Sequence, residues 1–139
     1  MNEELEDRIY DAALEAQFEV QFFDDYAFFR GYSPSGEDIS FKVYYEDDGT
    51  FEDIFDGVLV TFTDFDVDEH AVMLWSEDKA DLRALLNDAQ AIKNMYGYLY
   101  IQMYSLKEKL EEEWLQKNSM KEAKRESDVN WKSWLRLEF

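Results

Sequence analysis

The sequence predicts one α+β domain: an N-terminal helix, a three-stranded antiparallel sheet, two short helices, a long heptad-patterned C-terminal helix and a docked aromatic tail. Three observations carry that expectation. Apolar residues recur at helical spacing near the start, at two-residue spacing from about residue 18 to 45, and at helical spacing again from residue 82 onward. A length of 139 residues suits a single core. With 46% hydrophobic and 17% aromatic residues, the chain is too apolar to be a disordered acidic polymer.

Taken in order, residues 2–16 bring Leu5, Ile9, Ala12, Ala13 and Ala16 to one helical face, with Glu3, Glu4, Glu6 and Asp7 at the end the helix dipole favours. From Phe18 the period becomes two. Phe18, Val20 and Phe22 alternate with Glu19 and Gln21, and residues 26–32 and 39–45 are similarly aromatic and β-prone. Asp24 with Asp25, and the run Ser33, Pro34, Ser35, Gly36, supply the turns of a three-stranded meander.

Residues 50–62 carry two signals. The β-branched run from Val58 to Phe62 suits a strand, whereas Thr50 with Asp53 reads as a helix cap and Phe51, Ile54, Phe55, Val58 and Phe62 repeat at three and four. The capped pattern favours a helix. In the next stretch, TDFDVDEHAVMLW from Thr63, Asp66 and Glu69 suit a capping box, and Val67, Ala71, Leu74 and Trp75 are the expected buried stripe of a short helix.

Leu82, Leu85, Ala89, Ile92, Tyr96, Leu99, Met103, Leu106 and Leu110 then form an unbroken seam over four heptads. A continuous helix over 79–117 would be about 58 Å long, more than the width of such a domain. It is expected to protrude, to bend near Gly97 or to pair with a second chain. The stretch MYGYLYIQMY, residues 95–104, is apolar or aromatic nearly all round. It suits either core burial or self-association through Tyr96, Leu99, Met103, Leu106 and Leu110, with a strand as a further alternative because Tyr96, Tyr98 and Tyr100 alternate. The domain expected over 1–116 gives way at 117–139 to a basic linker with Lys117, Lys121, Lys124 and Arg125 and an aromatic tail. Trp131, Trp134, Leu135, Leu137 and Phe139 are expected to dock, residues 134–139 as an edge strand or across the open sheet face.

The net charge of −19 is concentrated in one half. Residues 1–78 hold 23 acids against Arg8, Arg30 and Lys42, a balance of −20, and residues 79–139 hold 10 acids against 11 bases. Such a field argues against direct binding of nucleic acid or anionic membrane and favours the basic surfaces of proteins. No cysteine is present, which excludes thiol catalysis and cysteine zinc sites. The start carries acids where a signal peptide needs bases, and no apolar run approaches a membrane span, so a cytoplasmic setting is expected.

Asp64, Asp66 and Asp68 match the first three ligand positions of a calcium loop. Glu69 stands where that loop needs glycine and Trp75 where it needs a bidentate glutamate. Capping is therefore the better account of these acids. His70 is the only histidine, and the chain lacks Walker, GxSxG and HExxH motifs, so no catalytic residue, metal ligand or cofactor is assigned. A divalent-metal-dependent enzyme or sensor built on Asp64, Asp66, Asp68 and His70 is a further alternative, behind the two readings given below.

The block FDVDEHAVMLW followed by DLRALLNDAQAIKNM, within residues 63–95, resembles a segment of small acidic proteins of phages and mobile elements in Gram-positive bacteria. SEDKADL is shorter than the glycine- and proline-containing insert found in those proteins. In overall character the chain also resembles antirestriction and anti-CRISPR proteins, groups that include DNA mimics. The resemblance implies a mobile-element setting and carries over no functional residue.

The expected function is thus a non-enzymatic acidic module that binds the basic surface of a nucleic-acid-binding protein. Glu46, Asp47, Asp48, Glu52, Asp53, Asp56, Asp64, Asp66 and Asp68 are its expected contact residues. A structural homodimer built on the 85–110 seam is the alternative.

Overall fold

In the computed structural model, which describes residues 2–45, 50–78 and 81–119, the chain starts with a cap: the Asn2 side chain accepts the Leu5 N–H at 2.8 Å. Helix α1 (Glu3–Glu15) follows and buries Leu5, Ile9 and Ala13, the face its spacing marks. It ends in a Schellman turn, in which the Phe18 N–H donates to the Ala13 carbonyl and the Gln17 N–H to the Leu14 carbonyl, with Gln17 at φ 67°. That turn delivers Phe18 into the core.

Strands β1 (Glu19–Phe22), β2 (Tyr26–Arg30) and β3 (Phe41–Tyr44) form the expected antiparallel meander in the order β1-β2-β3. Register places Val20 opposite Phe29 and Ala27 opposite Val43, and all four face inward and are buried. The alternate residues Gln21, Phe28, Lys42 and Tyr44 make an outer face. One sheet face is therefore covered and the other open.

Helix α2 (Phe51–Asp64) is capped by Thr50, whose Oγ1 accepts the Asp53 N–H at 3.2 Å. Residues 58–62 are helical despite their β-branched content, because Phe51, Ile54, Phe55 and Val58 are needed on one face against the sheet and the core. At Gly57 the backbone meets β3 so closely that a Cβ would overlap the Val43 side chain. Helix α3 (Val67–Ser76) is capped by Asp66 as expected, and helix α4 (Leu82–Ser119) runs for 38 residues. At ~1.5 Å per residue α4 is about 57 Å long.

The expected protrusion or pairing of this helix gives way to a different solution: α1, α2 and α3 all pack along it. Arg8 of α1 makes a bidentate pair with Glu113 at 2.8 and 2.7 Å, which holds the Glu113 carboxyl below its ordinary range. Phe55 and Phe62 of α2 pack on Tyr104 and Tyr100, so α2 runs antiparallel to α4. Tyr96, Leu99, Met103, Leu106 and Leu110, the residues expected to join two chains, are only 8, 0, 0, 7 and 2% exposed. This corrects the self-association expectation, because the three helices and the sheet already cover the seam. A second chain would reach it only by opening the core. The aromatic tail and most of the linker, residues 120–139, lie outside the described residues, and α4 continues three residues past the boundary expected at 116.

Tyr96 stands at the centre. Its ring contacts Phe18, Phe41 and Phe65 at centroid distances of 5.9, 5.8 and 5.5 Å, and its hydroxyl donates to the Ile39 carbonyl at 2.9 Å. Burial, with the Asp38 charge adding to it, pushes the phenol up to about 12. The neutral form is the one the fold prefers. Stability from this group is therefore full below the ordinary tyrosine value of ~10 and is lost as pH rises towards 12.

Two outcomes follow. Gly57→Ala, a change worth about 1 kcal/mol of stabilisation in a free helix, is expected to destabilise here by about 1–3 kcal/mol, read as a lower urea midpoint at unchanged slope. Unfolding free energy is expected to fall by roughly 1 kcal/mol per pH unit between about pH 10 and 12. Tyr96→Phe should flatten that alkaline limb while lowering stability at neutral pH.

Candidate functional site

The junction between α2 and α3 concentrates the acids that raised the metal question. Helix α2 has no basic residue in its last turn, so its terminal carbonyls need a cation from elsewhere. Lys93 of α4 supplies it. Its Nζ donates to the Phe62 and Phe65 carbonyls at 2.7 and 3.2 Å and sits 4.5 Å from the Phe62 ring centroid. Phe65 turns inward against Tyr96, while Asp64 and Asp66 on either side of it are exposed.

Asp66 Oδ1 accepts the Glu69 N–H at 2.7 Å, and the Asp66 carbonyl accepts the His70 N–H, so α3 starts at a fixed point. Asp68 and Glu69 occupy its first turn and are exposed. Between the end of α2 and α3 lies an open hollow of about 240 Å³ lined by Asp64, Phe65, Asp66, Glu69, His70 and Met73. Among the described residues, no three histidine or carboxylate side chains converge as a metal site would require.

His70 packs its ring 5.2 Å from that of Phe65, and its Nε2 is buried without a hydrogen-bond partner. Ala71 and Leu74 are buried at 0 and 3%, whereas Trp75 is 52% exposed, a correction to the expected stripe. The reason is angular: Ala71 and Leu74 mark the covered side of α3, and Trp75, about 100° on from Leu74, falls at the edge of that arc, beside the turn into α4.

The expected contact residues fall into separate groups. Glu52 and Asp53 are half-buried in the first turn of α2 and Asp56 is exposed. Asp64, Asp66 and Asp68 are exposed at its far end, with about 18 Å of helix rise between residues 52 and 64. Glu46, Asp47 and Asp48 lie outside the described residues.

Other polar features have no signal in the sequence because their partners are remote. Asp88 of α4, 7% exposed, accepts from the Ser35 N–H and hydroxyl at 3.1 and 2.9 Å and ties the turn between β2 and β3 to α4. Arg30 and Lys42 lie on the outer sheet face, 5.8 and 4.9 Å from the ring centroids of Phe28 and Tyr26. A second hollow, of about 300 Å³ between α1 and α4, is edged by Asp11, Glu15 and Lys109, with Arg8 at its margin already held by Glu113. Among the described residues, no helix is long and apolar enough to cross a membrane. Compared with known proteins, the chain matches no family model, no curated protein and no solved structure.

The capping role separates from charge by substitution. Asp66→Asn, which retains an acceptor at the cap, is expected to leave stability within about 0.5 kcal/mol, and Asp66→Ala to cost about 1 kcal/mol, both by urea denaturation. His70→Leu should be neutral or stabilising, because it removes a buried nitrogen that has no partner.

Proposed function

We propose that this chain is a non-enzymatic acidic protein-binding module, of the phage or mobile-element inhibitor kind, that occupies the basic surface with which a host defence or nucleic-acid-handling protein holds its DNA. The observation that carries this reading is the exposed carboxylate group at the α2–α3 junction, held in place by a cap and by Lys93. Carboxylates pre-positioned on helix ends lose little freedom on binding, so more of their attraction is retained as affinity.

The charge balance supports the same reading. The chain has 33 acids and 14 bases, so 19 carboxylates lack a cation of their own even if every base is paired. Such a surplus opposes folding by self-repulsion, and it raises the rate and selectivity of encounter with a basic groove. A groove built for phosphates releases its counterions to carboxylates as well, which makes capture depend on salt.

The test is capture from host lysate at ~50 and ~500 mM salt, where screening lengths differ several-fold. A nucleic-acid-binding protein is expected at low salt, lost at high salt and displaced by duplex DNA. Asp64→Lys with Asp68→Lys should abolish capture while leaving the circular dichroism unchanged. Capture that survives both the substitutions and the salt would overturn the proposal.

A further inference from the structure

The geometry points to a specific docking surface: the exposed side of α3, with the hollow beside it, takes a basic amphipathic helix of a partner protein. This rests on the protein-binding reading above and names the kind of segment that is bound. Val72, Met73 and Trp75 are 54, 50 and 52% exposed, three large apolar side chains within four positions of a helix of 10 residues. Val72 and Trp75 are three apart and therefore neighbours on the helix surface, while Met73, about 100° round the helix from Val72 and on the far side of it from Trp75, lines the hollow. Single exposed apolar residues are ordinary. A tryptophan, a methionine and a valine together on one short helix have the composition of an interface centre.

The surroundings define the partner's charge. Asp64, Asp66, Asp68 and Glu69 lie on one side of this apolar group and Glu77, Asp78 and Asp81 on the other, all exposed. No lysine or arginine occurs between residues 43 and 78, Lys79 and Arg83 are the bases that follow, and Lys93, a described cation at this corner, points its donors at the carbonyls of Phe62 and Phe65. The hollow of about 240 Å³ has room for one long basic side chain. Phe65 and Met73 would flank its aliphatic stem, and Asp64, Asp66 and Glu69 would meet its charged head.

Backbone chemistry defines the partner's conformation. The surface is the side of an α-helix whose N–H and carbonyl groups are bonded within it or to its caps, so an incoming strand would find no edge to pair with. A segment laid here must satisfy its own backbone. An amphipathic helix does so, laid over Val72 with apolar residues reaching towards Trp75 on one flank and an arginine or lysine reaching past Met73 into the hollow on the other.

The experiment titrates the full chain, labelled in its methionine methyl groups, with an alanine-based helical peptide carrying arginine and leucine along one side. The Met73 methyl signal is expected to shift and saturate while that of buried Met103 stays still. The triple variant Asp64→Asn, Asp66→Asn, Glu69→Gln, in which asparagine keeps the cap, should weaken binding about tenfold, as should Met73→Ser with Trp75→Ser. Asp7→Asn, Asp11→Asn and Glu15→Gln on α1 remove the same formal charge elsewhere and should weaken it less than about twofold. Equal weakening by the α1 variant, or lysate capture without any Met73 response, would overturn the docking surface and leave the general charge reading standing. Loss of both the peptide response and salt-dependent capture would remove both. A Met73 signal that moves with protein concentration alone marks a second copy as the occupant, and contact with the indole of Trp131 or Trp134 marks the chain's own residues 120–139. Either result overturns the proposal.

Discussion

The apolar seam of α4 must be covered from Ala89 to Leu110, and the rest of the fold is arranged to do so. Ile92, Leu99 and Met103 are fully buried, each contributing about 2 kcal/mol of transfer free energy. A helix of about 57 Å is too long for any single neighbour to cover. Three helices and the inner face of the sheet therefore share it: α3 near its start, the sheet at Tyr96 through Phe41, α2 at Tyr100 and Tyr104, and α1 towards its end.

Apolar burial sets how much surface is covered, and polar contacts set where each element sits along the spine. Asp88 holds the Ser35 turn, Lys93 the end of α2, Tyr96 the Ile39 carbonyl and Glu113 the Arg8 side chain. These contacts differ in worth. The Arg8–Glu113 pair is at the surface and contributes at most about 1 kcal/mol, whereas the buried Asp88 and Tyr96 groups would leave unsatisfied partners if removed.

The same arrangement shapes the acidic surface. Lys93 is drawn inward to helix carbonyls and Arg8 to Glu113, while Arg30 and Lys42 lie over aromatic rings on the open sheet face. Lys93 thus directs its donors at the α2–α3 junction to carbonyls rather than carboxylates, and the other three cations lie on other elements. Because that junction is fixed by Phe65 against Tyr96 and by the Asp66 cap, its charges are presented by a rigid corner next to exposed Val72, Met73 and Trp75. Charge, shape and apolar contact meet at one place.

Local chemistry was legible in the sequence. Thr50 and Asp66 were readable as caps, and the alternation around Val20 and the β-prone run around Val43 marked a three-stranded meander. Each depends on residues within a few positions of one another, so spacing alone carries the information. What covers a given face depends on residues 30 to more than 100 positions away, and no local period encodes that. The seam from Tyr96 to Leu110 had the same pattern whether it met a second chain or its own α1, α2 and sheet, and only the tertiary packing decided for the latter. Likewise, which side of α3 is covered decided that Trp75 is exposed while the Nε2 of His70 is buried. The sequence by itself determined the elements, their caps and the sign of the charge. The tertiary structure decided which apolar side chains remain exposed beside that charge, because exposure is what is left after distant elements have packed.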